Sequence, residues 1–541
     1  MSDADVEADL DRGAVRRWID DEADAQDAAQ LQDLLNAADA GDAEAAAELT
    51  DRFAAPLAFG TAGLRGPLRA GPNGMNRTVV RRAAAGLATW LVEHGDAGAV
   101  VVVGHDARHG SADFAADSAA VLAAAGFRAR LLPGPLPTPV LAFAVRRLGA
   151  AAGVMVTASH NPPRDNGYKV YGADGAQIAP PTDREIEAAI RAVGPATAIP
   201  RSEDYMDLDD AVVADYVEAT AGLVGPPAAA LTVVHTAMHG VGSAVIDRVF
   251  ARARYPDLIS VAAQADPDPD FPTVAFPNPE EPGAIDLALE LARERGADLV
   301  VANDPDADRC ALAVEFPDIG WRMLTGDELG VLLADALLAK GVRGTYATTI
   351  VSSSMLRALA EDHGVNFAET LTGFKWIVRA AEDLVFGYEE ALGYAVALDA
   401  VRDKDGISAA LLATERTAAL RAAGSSLPQR LEELAARYGR HLTGQVSVRV
   451  TDLREIATTM QRLRAEPPAE LLGHDIDVRD LQPDADVLIW RAGPARVVLR
   501  PSGTEPKLKA YLEVVERDAP AADAAATLER LRAEVGARLR V

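Results

Sequence analysis

Short apolar runs that alternate with helical segments constrain the fold of this chain more than any other feature. The runs at 99–104, 151–156 and 298–302 are rich in Val and Ala and are short enough to be buried strands. Helical patterns occupy 114–125 and 284–295 between such runs. Strands that alternate with helices are typical of parallel or mixed sheets covered by helices, so we predict an α/β fold.

The two ends of the chain differ from this α/β part. Residues 1–50 are acidic and Ala-rich, which predicts a packed helical arm. Over the last hundred residues, alternating patterns at 444–450 and 496–500 predict strands, and 453–465 and 520–538 predict helices. These last elements indicate a small α+β domain. With 541 residues, the chain is also too long for a single hydrophobic core.

Composition narrows the classes of function. The formal net charge of −28 at pH 7 opposes nonspecific binding to nucleic acid and to anionic membranes. No apolar run reaches the roughly 18 residues that a membrane span needs, so we expect none. No signal peptide is evident, and the single cysteine, Cys310, excludes an intramolecular disulfide. We therefore expect a cytoplasmic protein.

A hydroxyl and an imidazole stand side by side after the predicted strand at 151–156. Ser159 and His160 lie in the sequence Thr-Ala-Ser-His-Asn-Pro-Pro, whose Pro-rich part ends regular structure, and Lys169 adds a cation. An exposed serine oxygen at the carboxyl end of a strand, beside a proton acceptor and a positive charge, fits a serine that carries a phosphoryl group. The alternative is a polar turn in which Ser159 caps the next segment.

Three carboxylates alternate in the loop after the predicted strand at 298–302. In extended backbone, Asp304, Asp306 and Asp308 point the same way, and hard oxygen ligands suit Mg²⁺. The alternative is a solvated acidic turn. The similar spacing at 266–270 lies in a Pro-rich loop with no strand before it, so there we predict solvated surface.

A dense group of phosphate donors follows the last predicted strand. Arg500 offers a bidentate fork, and Ser502 and Thr504 offer hydroxyls. Gly503 allows backbone N–H groups to turn inward as an anion-binding nest, and Lys507 adds charge. We predict a phosphate site here; the alternative is a hairpin turn rich in Ser and Gly.

The remaining candidates are paired carboxylates and rare lysines. Glu389 and Glu390 are good acceptors for sugar hydroxyls, although two adjacent glutamates also mark a charged helix start. Only six of the 53 Lys and Arg residues are lysines, which indicates that a lysine is retained where a flexible ammonium is needed. Lys375, near Gly373, and Lys404 lie in polar loops before and after the glutamates.

Together these segments resemble the α-D-phosphohexomutase superfamily, the phosphoglucomutases and phosphomannomutases, over about residues 50–541. The loops follow the same order: phosphoserine loop, metal loop, sugar loop, phosphate loop. The Gly-rich loop at 59–66 is too incomplete for a nucleotide site. That loop and the form of the sugar loop look closest to the phosphoglucomutase/phosphopentomutase-like branch.

The resemblance implies four domains around a central cleft. Three are related α/β domains with mixed sheets, and the smaller C-terminal one is α+β. We assign domain I, with the helical arm and the phosphoserine loop, to 1–228, and domain II, with the metal loop, to 229–322. Domain III, with the sugar loop, is assigned to 323–441, and domain IV, with the phosphate loop, to 442–541.

The resemblance also implies a role for each candidate residue. The catalytic group would be Ser159 as the phosphorylated nucleophile, with Arg65, His160 and Lys169 lining the reacting phosphate. Either His160 or Lys169 would be the general acid or base. The Mg²⁺ ligands would be Ser159, Asp304, Asp306 and Asp308, with Arg309 beside them. The substrate-binding residues would be Gly373, Lys375, Glu389, Glu390, Lys404, Arg500, Ser502, Gly503, Thr504 and Lys507.

The implied reaction interconverts a hexose 1-phosphate and a hexose 6-phosphate through phosphoserine and a sugar 1,6-bisphosphate. Glucose is the first choice, with glucose 1,6-bisphosphate as activator and a monomer or dimer expected. Mannose or pentose phosphate, or synthesis of a sugar 1,6-bisphosphate, are alternatives. The family's sugar loop is commonly Gly-Glu-x-Ser-Gly, and Ala391 lacks that serine hydroxyl, which leaves the sugar open.

Two other classes are less favoured. An inactive sugar-phosphate-binding regulator would have lost Ser159 or a metal carboxylate, and neither is lost here. A haloacid-dehalogenase-type phosphatase also uses a D-x-D loop, but its nucleophile is Asp, so phosphorylation of Ser159 would separate the two.

Overall fold

Two compact units make up the part of the chain that the computed structural model describes, which is residues 10–58, 63–450, 452–502, 507–517 and 520–539. Unit 1 contains the residues up to Leu223 together with Thr232–Cys310 and Asp399–Ser408. Unit 2 contains Val224–Leu231, Ala311–Leu398 and the residues from Ala409 onward. None of the described helices is both long enough and apolar enough to cross a lipid bilayer.

Helices and strands alternate from the start of the described chain to Ala302. The helices are α1 (Arg12–Asp21), α2 (Ala25–Asp39), α3 (Ala43–Phe53), α4 (Arg77–Glu93), α5 (Ser111–Ala124), α6 (Thr138–Arg147), α7 (Thr182–Ala192), α8 (Ala211–Ala221), α9 (Ser243–Arg252) and α10 (Asp286–Arg295). The strands are β1 (Leu64–Pro67), β2 (Val100–His105), β3 (Arg128–Pro135), β4 (Ala152–Val156), β5 (Asp165–Gly172), β6 (Met206–Asp207), β7 (Val233–Thr236), β8 (Ile259–Ser260) and β9 (Leu299–Ala302).

The second half of the chain continues this alternation and then becomes rich in strands. Its helices are α11 (Gly326–Ala339), α12 (Met355–His363), α13 (Phe374–Ile377), α14 (Gly406–Ala422), α15 (Leu427–Tyr438), α16 (Leu453–Ala465) and α17 (Ala521–Leu539). Its strands are β10 (Ala311–Phe316), β11 (Gly320–Met323), β12 (Thr345–Thr349), β13 (Asn366–Thr370), β14 (Leu384–Glu389), β15 (Gly393–Ala395), β16 (Arg440–Arg449), β17 (Glu470–Leu471), β18 (His474–Asp475), β19 (Asp477–Asp480), β20 (Leu488–Ala492), β21 (Ala495–Pro501) and β22 (Lys507–Glu516).

A six-stranded mixed sheet in the order β1-β5-β4-β2-β3-β6 lies at the centre of unit 1. Strands β4, β2, β3 and β6 run parallel, β5 pairs antiparallel with β4, and β1 pairs antiparallel with β5. Val101 and Val154 are fully buried and belong to one apolar cluster with Leu87 of α4 and Phe114 of α5. The strands and the helix predicted in this region are confirmed.

Strands β8, β7 and β9 lie side by side in parallel in unit 1. Strand β9 and helix α10 confirm the predictions at 298–302 and 284–295. Asp266 and Asp270 are exposed, as predicted for the Pro-rich loop. The serine loop follows β4 and the acidic loop follows β9, so both begin at the carboxyl end of a parallel strand, where α/β sheets bind ligands.

The predicted N-terminal helical arm is confirmed as α1, α2 and α3, whose buried side chains form their own cluster. Asp21 at the end of α1 forms an ion pair with Arg82 of α4 at 2.5 Å. The same carboxylate accepts hydrogen bonds from the backbone N–H groups of Ala196 and Thr197 at 2.8 and 3.0 Å. The arm is therefore attached to the first sheet domain through a half-buried carboxylate.

The described part of unit 2 contains two larger sheets and the two-stranded sheet β17-β18. Parallel strands in the order β13-β12-β14 carry β15 antiparallel at one edge. The C-terminal sheet, in the order β16-β22-β21-β20-β19, is antiparallel throughout and packs in one apolar cluster with α16 and α17. These elements confirm the predicted C-terminal α+β domain.

Candidate active site

A strained turn at the end of β4 holds Ser159. The residue has a φ of 52°, in the left-handed region that non-glycine residues rarely adopt, and its N–H donates to Thr157 Oγ1 at 2.8 Å. Ser159 Oγ donates to Asp304 Oδ2 at 2.8 Å and lies 3.1 Å from His160 Nδ1. The expectation of an exposed oxygen is wrong, since the residue is only 3% exposed. The hydroxyl is buried and donates its hydrogen bond to the acidic loop.

The three aspartates that follow β9 converge, as their alternation predicts. Asp304, Asp306 and Asp308 are fully buried, and one carboxylate oxygen of each lies within 4.8 Å of the others. Two outer contacts fix the loop: Thr138 Oγ1 donates to Asp306 Oδ2 at 2.7 Å, and the N–H of Arg309 donates to Asp304 Oδ1 at 2.9 Å. Burial of all three carboxylates excludes the alternative of a solvated turn.

The acidic loop has the properties of a divalent-cation site. Among the described residues, Asp306 Oδ1 and Asp308 Oδ1 are buried oxygens without a hydrogen-bond donor. Burial, followed by the charges of Asp306 and Asp308, raises the pKa of Asp304 well above its usual range. Unpaired, mutually repelling carboxylate oxygens fit a hard cation such as Mg²⁺, which the three aspartates and the adjacent Ser159 Oγ could hold.

Two buried lysines lie against the acidic triad. Lys169 Nζ, on β5, donates to Asp306 Oδ2 at 2.8 Å and to Asp308 Oδ2 at 3.1 Å. Although burial acts against it, the charges of these carboxylates raise the pKa of Lys169, so this side chain is a cation. Lys404 Nζ lies 3.3 Å from Asp308 Oδ2, which places this predicted substrate-binding residue beside the metal loop.

Hydrogen bonds within unit 1 position the loop that carries Lys404. The side chain of Asp403 accepts hydrogen bonds from Tyr171 Oη and Gln177 Nε2, both at 2.8 Å. Asp405 accepts from Tyr216 Oη at 2.9 Å. These contacts attach the segment Asp399–Ser408 to unit 1.

His160 and Arg65 are the other two predicted residues of the serine site. Arg65, on β1, donates from a guanidinium nitrogen to Asn161 Oδ1 at 2.9 Å. Burial, followed by the positive charges of Arg309 and Arg65, lowers the pKa of His160 well below its usual range. The imidazole is therefore neutral in this arrangement and has the capacity to accept a proton.

Sequence reasoning missed Arg108, a buried residue that holds the serine loop. Its guanidinium donates to four backbone carbonyl oxygens, those of Ser159 at 2.5 Å, Asn161 at 2.6 Å, Pro162 at 2.8 Å and Asp165 at 3.2 Å. The backbone N–H of Arg108 donates to Asp106 Oδ1 at 3.0 Å. The available signal was the position of Arg108 just after β2, whose carboxyl end is neighbour to that of β4.

The two glutamates of unit 2 form a hairpin turn between β14 and β15 rather than a helix start. Glu389 is the last residue of β14, and the φ of 63° at Leu392 closes the turn. Glu390 Oε2 accepts hydrogen bonds from Ser352 Oγ at 3.1 Å and Thr349 Oγ1 at 3.3 Å. Burial, followed by the charge of Glu389, raises the pKa of Glu390 to about 7.

Within unit 2, one predicted phosphate-binding residue and one predicted sugar-binding residue both interact with Tyr511. Tyr511 of β22 interacts electrostatically with both Glu390 and Arg500, and Arg500 lies near the end of β21. Ser502 follows β21 and Lys507 begins β22, whereas Gly503 and Thr504 lie outside the described residues.

The two remaining predicted substrate-binding residues of unit 2 lie at the short helix α13. Gly373, with a φ of 113°, precedes α13, on which Lys375 is buried with its Nζ 5.8 Å from the centre of the Trp376 ring.

A serine hydroxyl, a buried carboxylate triad and surrounding cations at the ends of α/β strands define a metal-dependent enzyme site of the phosphoryl-transfer type. Residues 56–196, 214–316, 325–438 and 446–531 match the phosphoglucomutase/phosphomannomutase alpha/beta/alpha domains I, II and III and the C-terminal domain. The chain belongs to this family, within the α-D-phosphohexomutase superfamily, and is a phosphomutase-type enzyme with three α/β domains and a C-terminal domain. The family depends on Mg²⁺, which the acidic triad fits.

Similar proteins carry several substrate names. A Haemophilus influenzae protein named "Probable phosphomannomutase" is 46% identical over 83% of this chain and 95% of its own length. A Staphylococcus haemolyticus phosphoglucomutase is 35% identical over 85% and 91%, and a Saccharomyces cerevisiae phosphoribomutase is 35% identical over 86% and 87%. The structure of a phosphoglucomutase/phosphomannomutase family protein from Burkholderia thailandensis shares the fold, with a TM-score of 0.71 at 21% identity over 89% of this chain and 97% of that one.

Replacing Arg108 is expected to impair turnover through the position of Ser159. In Arg108→Gln the four carbonyls lose their shared donor, so we expect kcat to fall by about 10²-fold, as for other displaced catalytic groups, with a smaller change in KM. Arg108→Lys should recover part of the rate because one ammonium reaches some of the carbonyls.

Steady-state kinetics of the two variants, with circular dichroism to verify folding, test this role. Arg147→Gln, which removes an exposed arginine paired with Asp215, is the control. A folded Arg108→Gln enzyme with the kcat of the control would contradict the positioning role.

The raised pKa of Glu390 predicts a pH-dependent stability difference. Between about pH 4.5 and pH 7 the folded protein retains a proton that the unfolded chain has lost, so this group lowers the free energy of unfolding as pH rises. The Glu390→Gln variant lacks the titrating carboxyl group, so this contribution to the fall in free energy of unfolding is absent. Relative to wild type, the variant should gain stability from pH 4.5 to pH 7 and show a constant difference above pH 8.

Urea midpoints of the two proteins at several pH values test this prediction. Glu361→Gln, at an exposed position of α12, serves as control, and its difference from wild type should not follow this course. A Glu390→Gln difference that is flat with pH would show that Glu390 titrates normally.

Proposed function

We propose that this enzyme is a phosphoglucomutase that interconverts glucose 1-phosphate and glucose 6-phosphate, with glucose 1,6-bisphosphate as intermediate and activator. The observation that carries the proposal is the 2.8 Å hydrogen bond from Ser159 Oγ to Asp304 of the buried triad. A phosphoryl group on this hydroxyl would lie next to the proposed cation site and close to Lys169. The similar phosphoglucomutases and the branch resemblance of the loops at 59–66 and 388–393 support glucose.

In the proposed first step, the bond between Ser159 Oγ and phosphorus breaks as a free sugar hydroxyl oxygen bonds to the same phosphorus. Mg²⁺, when held by the triad, would supply charge neutralisation for the transferred group. Neutral His160 is suited to accept the proton of the attacking hydroxyl, and Lys169 and Arg65 are suited to stabilise the phosphoryl oxygens. The second step returns the other phosphate of the bisphosphate to Ser159.

The residues of unit 2 are assigned to recognition. Glu389 would accept hydrogen bonds from sugar hydroxyls, with Glu390 and the loop of Gly373 and Lys375 beside it. The phosphate that does not react would be bound by a set of cations and donors that accepts either end of the sugar, namely Arg500, Ser502, Gly503, Thr504 and Lys507. Lys404 would act near the reacting phosphate, since it contacts Asp308.

Mannose phosphate is the second candidate substrate, because the Haemophilus influenzae relative at 46% identity is named for it. Pentose phosphate follows, given the similar phosphoribomutase and phosphopentomutases. These sugars differ in hydroxyl configuration or ring size, which the sugar-loop contacts must discriminate.

A mutase assay with Mg²⁺ and catalytic amounts of the matching sugar 1,6-bisphosphate tests the substrate. We expect kcat/KM for glucose 1-phosphate to exceed that for mannose 1-phosphate and ribose 1-phosphate at least tenfold, or about 1.4 kcal/mol. A higher kcat/KM for another sugar phosphate would support the same mechanism with that sugar as the substrate. Turnover of none of them would contradict the proposed activity.

Ser159→Ala should abolish turnover and leave the protein folded, because the hydroxyl forms its hydrogen bonds with Asp304 and His160 of the proposed site. Transfer of ³²P from labelled bisphosphate to the protein should be lost at the same time. Ser202→Ala, in a surface loop, is the matched control and should remain labelled and active. Turnover near the wild-type rate in Ser159→Ala would exclude the serine mechanism.

A further inference from the structure

Unit 2 contains a cationic pocket formed by none of the residues assigned to the reaction. The pocket has a volume of about 280 Å³. Its basic lining residues are Arg357, Arg491, Arg496, Arg517 and His441. Only Glu361 and Glu369 line it with negative charge, which leaves the four arginines in formal excess by two charges. Such an excess is unexpected on a chain whose formal net charge is −28.

The sheet itself places two of these arginines against each other. In the antiparallel pairing of β20 with β21, Arg491 lies directly opposite Arg496. Like charges in this position are unfavourable unless an opposite charge lies close by. Arg496 has one, because its Nε lies 2.9 Å from Glu513 Oε2 on β22.

Arg491 and Arg517 have weaker compensation: Asp477 of β19 lies opposite Arg491 in the sheet register but forms no ion pair with it. Neither side chain forms an ion pair with any residue that the structure describes, and both are exposed at the pocket. Arg357, by comparison, lies 3.5 Å from Glu369. Two unpaired guanidinium groups therefore remain available in a concave site, with donor geometry that suits phosphate or carboxylate.

A buried imidazole adds a further unused polar group. The His441 side chain is only 6% exposed, and its Nδ1 lies 3.1 Å from Glu513 Oε1. Its Nε2 is buried and has no hydrogen-bond partner among the described residues. Although burial opposes it, the hydrogen bond from His441 and the charge of Arg496 lower the pKa of Glu513 to about 2, so Glu513 is a fixed anion beneath the pocket.

We propose that this pocket binds a small multivalent anion, a phosphorylated metabolite or a polycarboxylate. The anion would bridge Arg491 and Arg517, the two lining arginines that form no ion pair with a described residue. A volume of about 280 Å³ fits a small molecule of this kind. The shared chemistry is two or more negatively charged oxygens in one compact molecule.

The pocket is connected to the proposed sugar loop by a short path. Arg496, at the pocket, donates to the carbonyl oxygens of Ile350 at 3.2 Å and of Ser352. Ser352 Oγ in turn donates to Glu390 Oε2 at 3.1 Å. An anion that moves Arg496 would therefore act on a residue that directly contacts Glu390.

Isothermal titration calorimetry of the full chain with pyrophosphate and, separately, with citrate tests the proposal. The pocket variant is Arg491→Gln/Arg517→Gln, and the control with the same change in charge is Arg454→Gln/Arg479→Gln, at exposed positions outside the pocket. Any binding at the proposed active site is common to both variants and cancels in the comparison. Mutase activity measured without pyrophosphate or citrate should be equal in the two double variants.

We expect wild type and control to bind one more anion per chain than the pocket variant, or to bind it at least tenfold more tightly. Preference for pyrophosphate over citrate would assign the site to phosphate compounds, and the reverse would assign it to polycarboxylates. Equal stoichiometry and affinity in the two double variants, or binding of neither anion by wild type, would overturn the proposal.

Discussion

Three carboxylates buried within 4.8 Å of one another repel strongly, and the arrangement of unit 1 follows from the need to balance them. Lys169 contributes a full positive charge from β5, and Lys404 contributes another from the segment Asp399–Ser408. Ser159 and Thr138 contribute hydroxyl donors. Segments far apart in the chain thus meet at the triad. A cation site whose outer charges are already fixed in this way needs little rearrangement when a metal binds.

The nucleophile and the metal loop depend on each other through backbone strain. Ser159 adopts a left-handed conformation, and so does Ala307 in the acidic loop, with a φ of 53°. Conformations of this kind persist only where surrounding contacts over-determine them. Arg108 supplies those contacts for the serine turn, since three of its hydrogen bonds reach carbonyls of that turn and a fourth reaches Asp165 at the start of β5. The rigidity of the serine is therefore built by a residue that does not itself contact Ser159 Oγ.

The sequence was a good guide wherever chemistry follows a strand directly. The loops after β4 and β9 were predicted because an apolar run ends there and polar residues of the right type begin. Local patterns could not show which distant segments meet. Lys404 lies almost a hundred residues after Asp308 in the chain, and only tertiary packing through Asp403 and Asp405 brings it to that carboxylate. The burial of Ser159 was missed for the same reason.

At two positions the structure explains why a lysine is retained in a chain that otherwise uses arginine. Lys169 and Lys404 each insert an ammonium among fully buried carboxylates, where a compact charge with three donors fits and a planar guanidinium would need more space. Lys340 shows that rarity alone is not a signal, because it forms a partly exposed ion pair with Glu415 at 2.7 Å. Arginine instead occupies sites that need several directed hydrogen bonds, as Arg108 does for four carbonyls and Arg496 does for two. At these four positions the cation matches the shape of the acceptor: lysine lies among the clustered oxygens of the acidic triad, and arginine reaches several spread backbone carbonyls.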